Sequence, residues 1–387
     1  MKVLFTTWGW ASHYYPLVPL GWACRAAGHE VRVASQPALI DTIVQSGLPA
    51  VRVGKDVDFS ALFGRTMGPL VAIPEDKEAQ RKRVEALKVV PFRMFAEVAS
   101  HMAGDLIEYC RSWKPDVIVY EPTSYAALVA ASAVGVPAVR HVWSADYPYY
   151  GRAGESEVIP QLFADFGSKP IDTLGTMTLD ACPPSMQIAT DYRRQLVQYV
   201  PYNGAGEAPE WLLEPTAARR VCLTWGTTVS RLHNNMFGLP ALVDALSTLP
   251  DTELVLAVNS QQRELLSHLP SNVKVVENLP LNLLLATCSA QVQQGGAGTT
   301  MTALAAGVPQ LVVPQIPDQL FNARQLASTG AGTFIPYKEA TPDDLRRLLH
   351  EVLAKPDYAE SAKRVAAEIK QQPTPSDVVG ALEGLAS

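Results

Sequence analysis

The sequence predicts an α/β fold of two domains that face each other across a cleft, each a Rossmann-like parallel sheet covered by helices. Short apolar runs alternate with helical patterns, and this alternation stops at a polar stretch near the middle of the chain and then begins again. The length of 387 residues suits two domains of ordinary size. Hydrophobic residues make up 48% and charged residues 18%, which is enough for two cores and excludes a disordered chain.

The first domain is predicted over residues 1–205, where apolar strands alternate with helices. The expected strands are Lys2–Thr7, Glu30–Ser35, Ala50–Val53, Asp116–Tyr120 and Ala138–Trp143. The expected helices are Tyr15–Ala27, Pro37–Ser46 and Ser124–Val134, each followed by a glycine that ends it. Continuous Val/Ile runs joined through helices indicate a parallel sheet that is buried on both faces.

The same pattern predicts a second domain over residues 219–370. Its expected strands are Arg220–Thr224, Glu253–Val258, Val273–Val276, Ala290–Gln293 and Gln310–Val313. Its expected helices are Leu239–Leu246, Gln261–His268, Thr299–Ala306, Leu320–Thr329 and Pro342–Lys355. Residues 206–218 are predicted as a linker, and residues 371–387 as a proline-rich loop with a short helix. Two such domains place a ligand cleft between them, at the carboxyl ends of the strands.

Charge, cysteine content and hydropathy exclude several classes of protein. The net charge of −6 argues against general nucleic-acid binding, and Lys77–Arg83, the longest basic run, is interrupted by acids. The five cysteines are scattered without a Cys-x-x-Cys pair, which favours reduced thiols over disulfides or zinc. The longest apolar run, Tyr125–Val139, is too short for a membrane span, and no signal peptide is evident. We therefore expect a cytoplasmic protein without membrane insertion.

The strongest local motif is the glycine-rich segment Gln293–Thr300, which follows a strand and begins a helix. Glycines let the backbone approach a phosphate, and the free N–H groups at the start of the helix favour an anion. A plain strand-to-helix turn is the simplest alternative. A dinucleotide site is another, because Asp318 lies twenty residues after Gly298, where a ribose-binding acid is found in such sites. However, the motif lacks the third glycine and lies in the second domain.

Two ionisable residues follow strands of the first domain and should therefore face the cleft. His13 follows the first strand, and a histidine of near-neutral pKa can take a proton from an acceptor hydroxyl. Glu121 ends a later strand and could orient His13 and stabilise its charged form. A surface histidine and an exposed loop acid are the simpler alternatives. Asp56-Val57-Asp58 could hold a divalent cation, but such a triplet arises often by chance.

At these residues the sequence resembles the GT-B glycosyltransferases, specifically the bacterial branch that decorates antibiotics and other natural products. The resemblance covers nearly the whole chain. It is carried by Leu17–Val31, by Pro115–Thr123, and most specifically by the composite that runs from Gly295–Thr300 through Ala306–Gln310 to Pro314 and Asp318–Ala323.

The resemblance implies an inverting, metal-independent transferase without a cofactor. Its donor would be a nucleotide diphosphate sugar, usually a thymidine diphosphate (dTDP) deoxysugar. The donor would bind to the second domain and the acceptor to the first. His13 matches the catalytic base of the family, and Glu121 matches the acidic partner of that base. The residues that match the nucleotide and diphosphate site are Thr227, Thr228, Leu279, Gln294, Gly295, Gly296, Gly298 and Thr299. Asp318 and Gln319 match the pair that contacts the hydroxyls of the sugar.

One departure from the family pattern lies beside the glycines. The family commonly has histidine at the position of Gln294, where it contacts the diphosphate. A glutamine amide still donates a hydrogen bond but carries no charge. Because charge-assisted hydrogen bonds are about twice as strong as neutral ones, the leaving diphosphate would depend more on the helix N-terminus and on threonine hydroxyls.

The acceptor is expected to be a bulky aromatic polyketide or macrolide-type natural product. Phe59–Met102 and Val142–Tyr202 hold many aromatic and methionine side chains on loop-rich segments, and flat apolar ligands suit such linings. The residues predicted to contact the acceptor are Trp8, Tyr14, Phe59, Trp143 and Tyr147. The alternatives are a nucleotide-sugar epimerase of the same architecture, a catalytically weak auxiliary nucleotide-sugar-binding protein, and an NAD-dependent Rossmann enzyme. The identities of sugar and aglycone, O- or C-attachment, a homodimer and the need for an activator protein stay open.

Overall fold

The computed structural model of the protein describes residues 1–71, 76–214, 218–226, 238–266 and 269–386. The first domain is built on a sheet of seven strands in the order β3-β2-β1-β4-β5-β6-β7, all of them parallel. The strands are β1 (Lys2–Thr6), β2 (Glu30–Ser35), β3 (Ala50–Arg52), β4 (Val117–Tyr120), β5 (Ala138–Val142), β6 (Met177–Asp180) and β7 (Arg194–Leu196). The five strands predicted for this domain are confirmed, and β6 and β7 extend the sheet at one edge.

Helices cover both faces of this sheet. They are α1 (Ala11–Tyr14), α2 (Val18–Ala26), α3 (Ile40–Gln45), α4 (Phe59–Thr66), α5 (Gly68–Val71), α6 (Lys77–Trp113), α7 (Tyr125–Val134), α8 (Tyr147–Gly151) and α9 (Ile159–Asp165). The 3₁₀ turns Tyr15–Leu17, Pro37–Leu39, Arg152–Glu157, Pro184–Met186 and Glu210–Leu213 complete the set. The long α6 contains Pro91, and only its second half is buried, from Phe92 onward. That half packs on α7 in a core that also includes β4.

The second domain repeats the architecture with six parallel strands in the order β10-β9-β8-β11-β12-β13. The strands are β8 (Arg219–Thr224), β9 (Thr252–Val258), β10 (Val273–Glu277), β11 (Ala290–Gln293), β12 (Gln310–Val312) and β13 (Gly332–Phe334). The helices are α10 (Leu239–Leu246), α11 (Ser260–Glu264), α12 (Leu281–Leu285), α13 (Ala297–Ala305), α14 (Pro317–Ser328), α15 (Pro342–Ala354) and α16 (Pro356–Gln371). The last helix of the chain, α17 (Val379–Glu383), packs on α2 of the first domain. In both sheets the strand order changes direction between the first and fourth strands of the domain, which is where ligands bind in such folds.

The end of the chain returns to the first domain. The N–H of Gln198 donates to the carbonyl of Pro373 at 2.6 Å. His29 Nε2 lies 3.0 Å from Oε1 of Glu383 on α17. One hydrophobic cluster contains side chains of both domains and of this returning segment. The contacts of the C-terminal residues therefore stabilise the arrangement of the two domains.

The cysteine thiols are unpaired. Four of the five cysteines are buried, and Cys288 is half-buried. Of the helices in the described ranges, none combines the length and the apolar character of a membrane span. The same ranges hold no group of three or more His, Cys, Asp or Glu side chains that could bind a metal ion.

Candidate active site

His13 and Glu121 meet at the carboxyl ends of two neighbouring strands. β1 and β4 are paired in parallel, so the loops that follow them leave the sheet side by side. The first loop leads into the single turn of α1, which carries His13, and the second begins with Glu121. His13 Nδ1 lies 3.0 Å from Glu121 Oε2, and the His13 side chain keeps 22% of its surface exposed while Glu121 is fully buried.

Glu121 is held by hydrogen bonds to its carboxylate. The N–H of Thr123 donates to Oε2 at 3.0 Å, and the hydroxyl of Ser124 donates to Oε1 at 2.5 Å. The Thr123 hydroxyl lies 2.8 Å from both carboxylate oxygens. Burial alone would raise the pKa of Glu121, but the charge of His13 and these hydrogen bonds hold that pKa below its usual value. The ionised carboxylate of Glu121 can only accept a hydrogen bond, so the proton of a neutral His13 lies on Nδ1. Nε2 of His13 is then the nitrogen that can act as a base.

Aromatic side chains surround the histidine. The Trp8 ring lies 4.9 Å from the His13 ring, and Trp143, which follows β5, lies edge-on to it at 5.5 Å. Trp8 Nε1 donates to the Thr123 hydroxyl at 3.0 Å and so joins the network around Glu121. Phe59, at the start of α4, packs on Trp8 with ring centroids 4.6 Å apart. Two predicted acceptor residues, Trp8 and Trp143, therefore lie beside the proposed base, and a third, Phe59, packs on Trp8.

Tyr14 does not belong to this surface, and its prediction as an acceptor contact is wrong. It is completely buried in the core beneath α2, and its hydroxyl lies 2.5 Å from that of Ser46. Successive residues of a helical turn point about 100° apart, as 3.6 residues complete a turn. When His13 faces the cleft, its neighbour on α1 therefore points into the domain.

The glycine-rich segment forms a tight strand-to-helix turn. α13 begins at Ala297, two residues before the predicted start, and Gly296 is its N-cap. Gly295 has a φ of 102°, and a Cβ at this position would lie 2.7 Å from the carbonyl oxygen of Gln319. A Cβ at Gly298 would meet no atom within 4 Å, so the first turn of the helix borders open space. The unpaired N–H groups of this turn can bind an anion.

The two glutamines before the glycines have different environments. Gln293 is part of the fold, because its amide oxygen accepts from the N–H of Gly295 at 2.5 Å and its Nε2 donates to the hydroxyl of Thr300 at 2.9 Å. Gln294 is 3% exposed, and a Cβ on Gly226 would lie 2.6 Å from its Nε2. Within the described ranges, no hydrogen-bond partner of its Oε1 is found. An orphaned buried amide is expected to be paired once a ligand is bound.

Asp318 and Gln319 occupy the first turn of α14, which begins three residues earlier than predicted. Gln319 is buried, and its Oε1 accepts from the N–H groups of Gln315 at 2.9 Å and Ile316 at 3.3 Å. Its amide oxygen is therefore used to cap the helix. Asp318 is half-buried. Burial raises the pKa of Asp318. Hydrogen bonds from the backbone N–H groups of Asp318 and Gln319, and the charge of His13, act in the opposite direction and lower it.

Tyr147 connects the two domains beside Asp318. Its ring lies 5.3 Å from that of Phe321 on α14. Burial, with a smaller contribution from the charge of Asp318, raises the pKa of Tyr147 to about 12. Leu279 is half-buried and precedes Pro280, against the cluster that includes β9 and α12. The predicted donor residues Thr227 and Thr228 lie outside the described residues.

The Asp-x-Asp triplet has a local structural role. Asp56 Oδ1 accepts from the N–H of Ala38 at 2.8 Å. Asp58 is the N-cap of α4 and accepts from the N–H of Ala61 at 2.9 Å. Sequence reasoning did not single out Thr123, Ser124, Trp10 or Phe321. A Thr-Ser pair just before a predicted helix is the usual sign of a cap and could have indicated the first two.

Comparisons with known proteins identify the family. The N-terminal domain model of "Erythromycin biosynthesis protein CIII-like" proteins matches residues 22–226, and the corresponding C-terminal model matches residues 241–385. A 10-deoxymethynolide desosaminyltransferase of Streptomyces venezuelae is 36% identical over all of this chain and 97% of its own length. An aclacinomycin-T 2-deoxy-L-fucose transferase of Streptomyces galilaeus is 36% identical over all of this chain and 96% of its own length.

Solved structures give the same result. The spinosyn rhamnosyltransferase SpnG has a TM-score of 0.84 and 32% identity, covering 99% of this chain and all of its own. The glycosyltransferase VinC, in complex with dTDP, has a TM-score of 0.82 and 31% identity, covering all of this chain and 99% of its own. The predicted fold and function are confirmed, and the NAD-dependent and auxiliary alternatives are not favoured. The chain belongs to the erythromycin biosynthesis protein CIII-like family of inverting GT-B glycosyltransferases, which act in antibiotic biosynthesis.

Proposed function

We propose that the protein transfers a deoxysugar from a dTDP-linked donor to a hydroxyl of a bulky aromatic polyketide or macrolide-type acceptor. The observation that carries this proposal is the His13–Glu121 pair, with Nδ1 3.0 Å from Oε2 at the carboxyl ends of two paired parallel strands. The thymidine nucleotide is supported by two similar structures, VinC and SpnG, that hold thymidine diphosphate. A bulky apolar acceptor is supported by the SpnG complex with spinosyn aglycone and by Trp8, Phe59 and Trp143 around His13.

The proposed reaction is a single in-line displacement. Nε2 of His13 removes the proton from the acceptor hydroxyl while the oxygen attacks the anomeric carbon from the face opposite to the diphosphate. The bond from the anomeric carbon to the diphosphate oxygen breaks, and the diphosphate leaves with the electron pair. Glu121 keeps its proton-free form throughout and stabilises the imidazolium, because its carboxylate already accepts from Nδ1.

The N-terminus of α13 would stabilise the charge that develops on the diphosphate. A Cβ at Gly298 would meet no atom within 4 Å, so a diphosphate would have room to approach the first N–H groups of this helix, and Thr299 and Gln294 would add neutral donors. Asn and Gln side-chain oxygens and nitrogens are interchangeable by rotation, so the amide of Gln294 can present Nε2 to a phosphate. We propose that these groups act without a divalent cation. Asp318 and the Nε2 of Gln319 would bind hydroxyls of the sugar. Leu279 would lie beside the nucleobase of the donor.

Transfer assays test the proposal. The purified protein is incubated with dTDP- and UDP-linked deoxysugars and a panel of polyketide and macrolide aglycones, and products are detected by mass spectrometry. Glycoside formation from a dTDP donor is expected, with no change of the sugar when the donor is incubated alone. An altered sugar without any acceptor would instead support the epimerase alternative. Unimpaired transfer by a His13→Ala variant to an unactivated hydroxyl would contradict the assignment of the base.

A further inference from the structure

A groove of about 480 Å³ lies on the first domain beside Trp8, and Gln261 of the second domain also lines it. Its wall contains the stacked rings of Trp8 and Trp10, 5.3 Å apart, and the ring of Phe59. Because Trp8 also packs on His13, the groove and the reaction centre share this side chain. Its volume lies in the range of pockets for small organic molecules.

The other side of the groove is polar and acidic. Asp56 and Asp58 line it from the first domain, and Gln261 of α11 lines it from the second. Of the described residues along the groove, none is a lysine or arginine. Each aspartate accepts a backbone N–H at Oδ1, that of Ala38 or of Ala61, and within the described ranges the second oxygen of each exposed carboxylate has no hydrogen-bond donor. The groove therefore combines aromatic faces with two negative charges.

We propose that this groove selects acceptors that carry a protonated amine at the end remote from the reacting hydroxyl. The proposal rests on the function proposed above, and it names the class of acceptor. An alkylammonium group is attracted both to the face of an indole ring and to carboxylates, whereas a carboxylate on the acceptor would be repelled. The hydroxyl of such a molecule would lie at His13 while its amine reaches Asp56 and Asp58.

A matched series of acceptors tests this selectivity. Three naphthols carry a dimethylaminomethyl, an isobutyl or a carboxymethyl group on the ring remote from the hydroxyl, so that the first two differ in charge and hardly in shape. Binding to the full-length protein is measured by calorimetry at pH 7, and sugar transfer from the dTDP donor is measured in parallel. We expect the amine to bind about tenfold more tightly than the isobutyl compound, and the carboxylate to bind most weakly.

The variants Asp56→Asn and Asp58→Asn assign the effect to the groove. Asparagine keeps an Oδ1 acceptor for Ala38 or Ala61 and remains a good helix cap, so only the charge is lost. Each change is expected to weaken amine binding about two- to fivefold, as for exposed charge pairs, with little effect on the isobutyl compound. Asp76→Asn is the matched control, since Asp76 caps α6 by accepting from the N–H of Ala79 outside the groove.

The outcomes separate this inference from the function on which it rests. Equal binding of the three naphthols, binding of none of them, or an amine preference that survives both groove variants would overturn the inference. Transfer of sugar to the naphthols without any amine preference would leave the proposed function intact and the inference wrong. A charge-dependent preference with no transfer from any dTDP donor would support the groove and contradict the proposed function.

Discussion

Nδ1 of His13 lies 3.0 Å from Oε2 of Glu121, a carboxylate that is completely buried and kept ionised by three neighbouring donors. The pairing fixes which nitrogen of the imidazole can act as a base. It also makes Glu121 a positioning residue, since its burial leaves His13 as the member of the pair that can touch an acceptor. Substitutions of the two residues should therefore have different effects on kcat.

Removal of the base should lower turnover more than removal of its partner. A His13→Ala variant is expected to lose about 10²- to 10⁴-fold in kcat, the range of general base catalysis, with KM for the donor nearly unchanged. Glu121→Gln keeps the shape of the side chain, but its amide can donate to Nδ1 of His13 and so favour the tautomer that has its proton on Nε2. Because His13 itself is still present, a smaller loss in kcat is expected. The acceptor series discriminates between the roles, because a phenol of low pKa needs little help from a base. Such an acceptor should recover much of the His13→Ala loss, and equal losses with all acceptors would argue against the assignment.

Gly298→Ala should separate stability from donor binding. Gly298 is in the first turn of α13, and a Cβ there meets no atom within 4 Å. Alanine in a helix is favoured over glycine by roughly 0.5–1 kcal/mol, so the melting temperature should rise slightly. If a diphosphate approaches this turn, the same Cβ collides with it, and the affinity for dTDP should fall about tenfold or more.

Thermal-shift titration with dTDP measures both effects, because a ligand that binds only the folded protein raises its apparent stability. Gly380→Ala is the matched control. Gly380 lies in α17, a Cβ there also meets no atom within 4 Å, and α17 lies outside the proposed site. The control should gain stability and keep its dTDP affinity. Undiminished dTDP binding by Gly298→Ala would show that the diphosphate does not lie against this turn.

Gln294 gives a third prediction, because it is buried beside the glycine-rich turn and its Oε1 has no hydrogen-bond partner within the described ranges. Gln294→Ala removes the amide donor and is expected to lower kcat about 10- to 100-fold, the cost of one hydrogen bond to a charged group. Gln294→His should restore a donor that carries charge at low pH, so its kcat relative to the wild type should increase as pH falls below about 6.5. A pH–rate comparison of the two proteins tests this. A ratio that does not change between pH 5 and 8 would indicate that position 294 does not contact the leaving group.

The apolar strands were the best predicted part of the fold, for a physical reason. Runs such as Val117–Tyr120 are buried on both faces, and their composition alone indicates a central parallel strand. The strands β6 and β7 were missed because Met177–Asp180 and Arg194–Leu196 carry no such apolar run. Their pairing depends on the strand beside them. Most of α6 was missed as well, since its first half is exposed and Pro91 interrupts the helical pattern.

The site was predictable where topology alone determines it. Residues after parallel strands converge at one edge of the sheet, which brought together His13 and Glu121. The direction of a side chain on a short turn needs coordinates, and for this reason Tyr14 was assigned to the acceptor site when it belongs to the core. The hydrogen bonds from Thr123 and Ser124 to the Glu121 carboxylate also depend on the geometry of a local turn, which the sequence alone does not define.

His141 should make the stability of the protein sensitive to acid. It lies on β5, is almost completely buried, and has no hydrogen-bond partner for Nδ1 within the described part of the chain. Burial lowers its pKa to about 4, against about 6.5 in an unfolded chain. Between these two values the unfolded chain binds a proton that the folded protein does not, so the free energy of unfolding should decrease as pH falls from 6.5 to 4. The contribution lost at pH 4 is on the order of 3 kcal/mol, since one pKa unit corresponds to about 1.4 kcal/mol.

Urea denaturation of the wild type and of His141→Phe at several pH values measures this contribution. The wild type should lose more stability between pH 6.5 and 4 than the variant, whereas parallel pH profiles would show that His141 titrates normally in the folded protein.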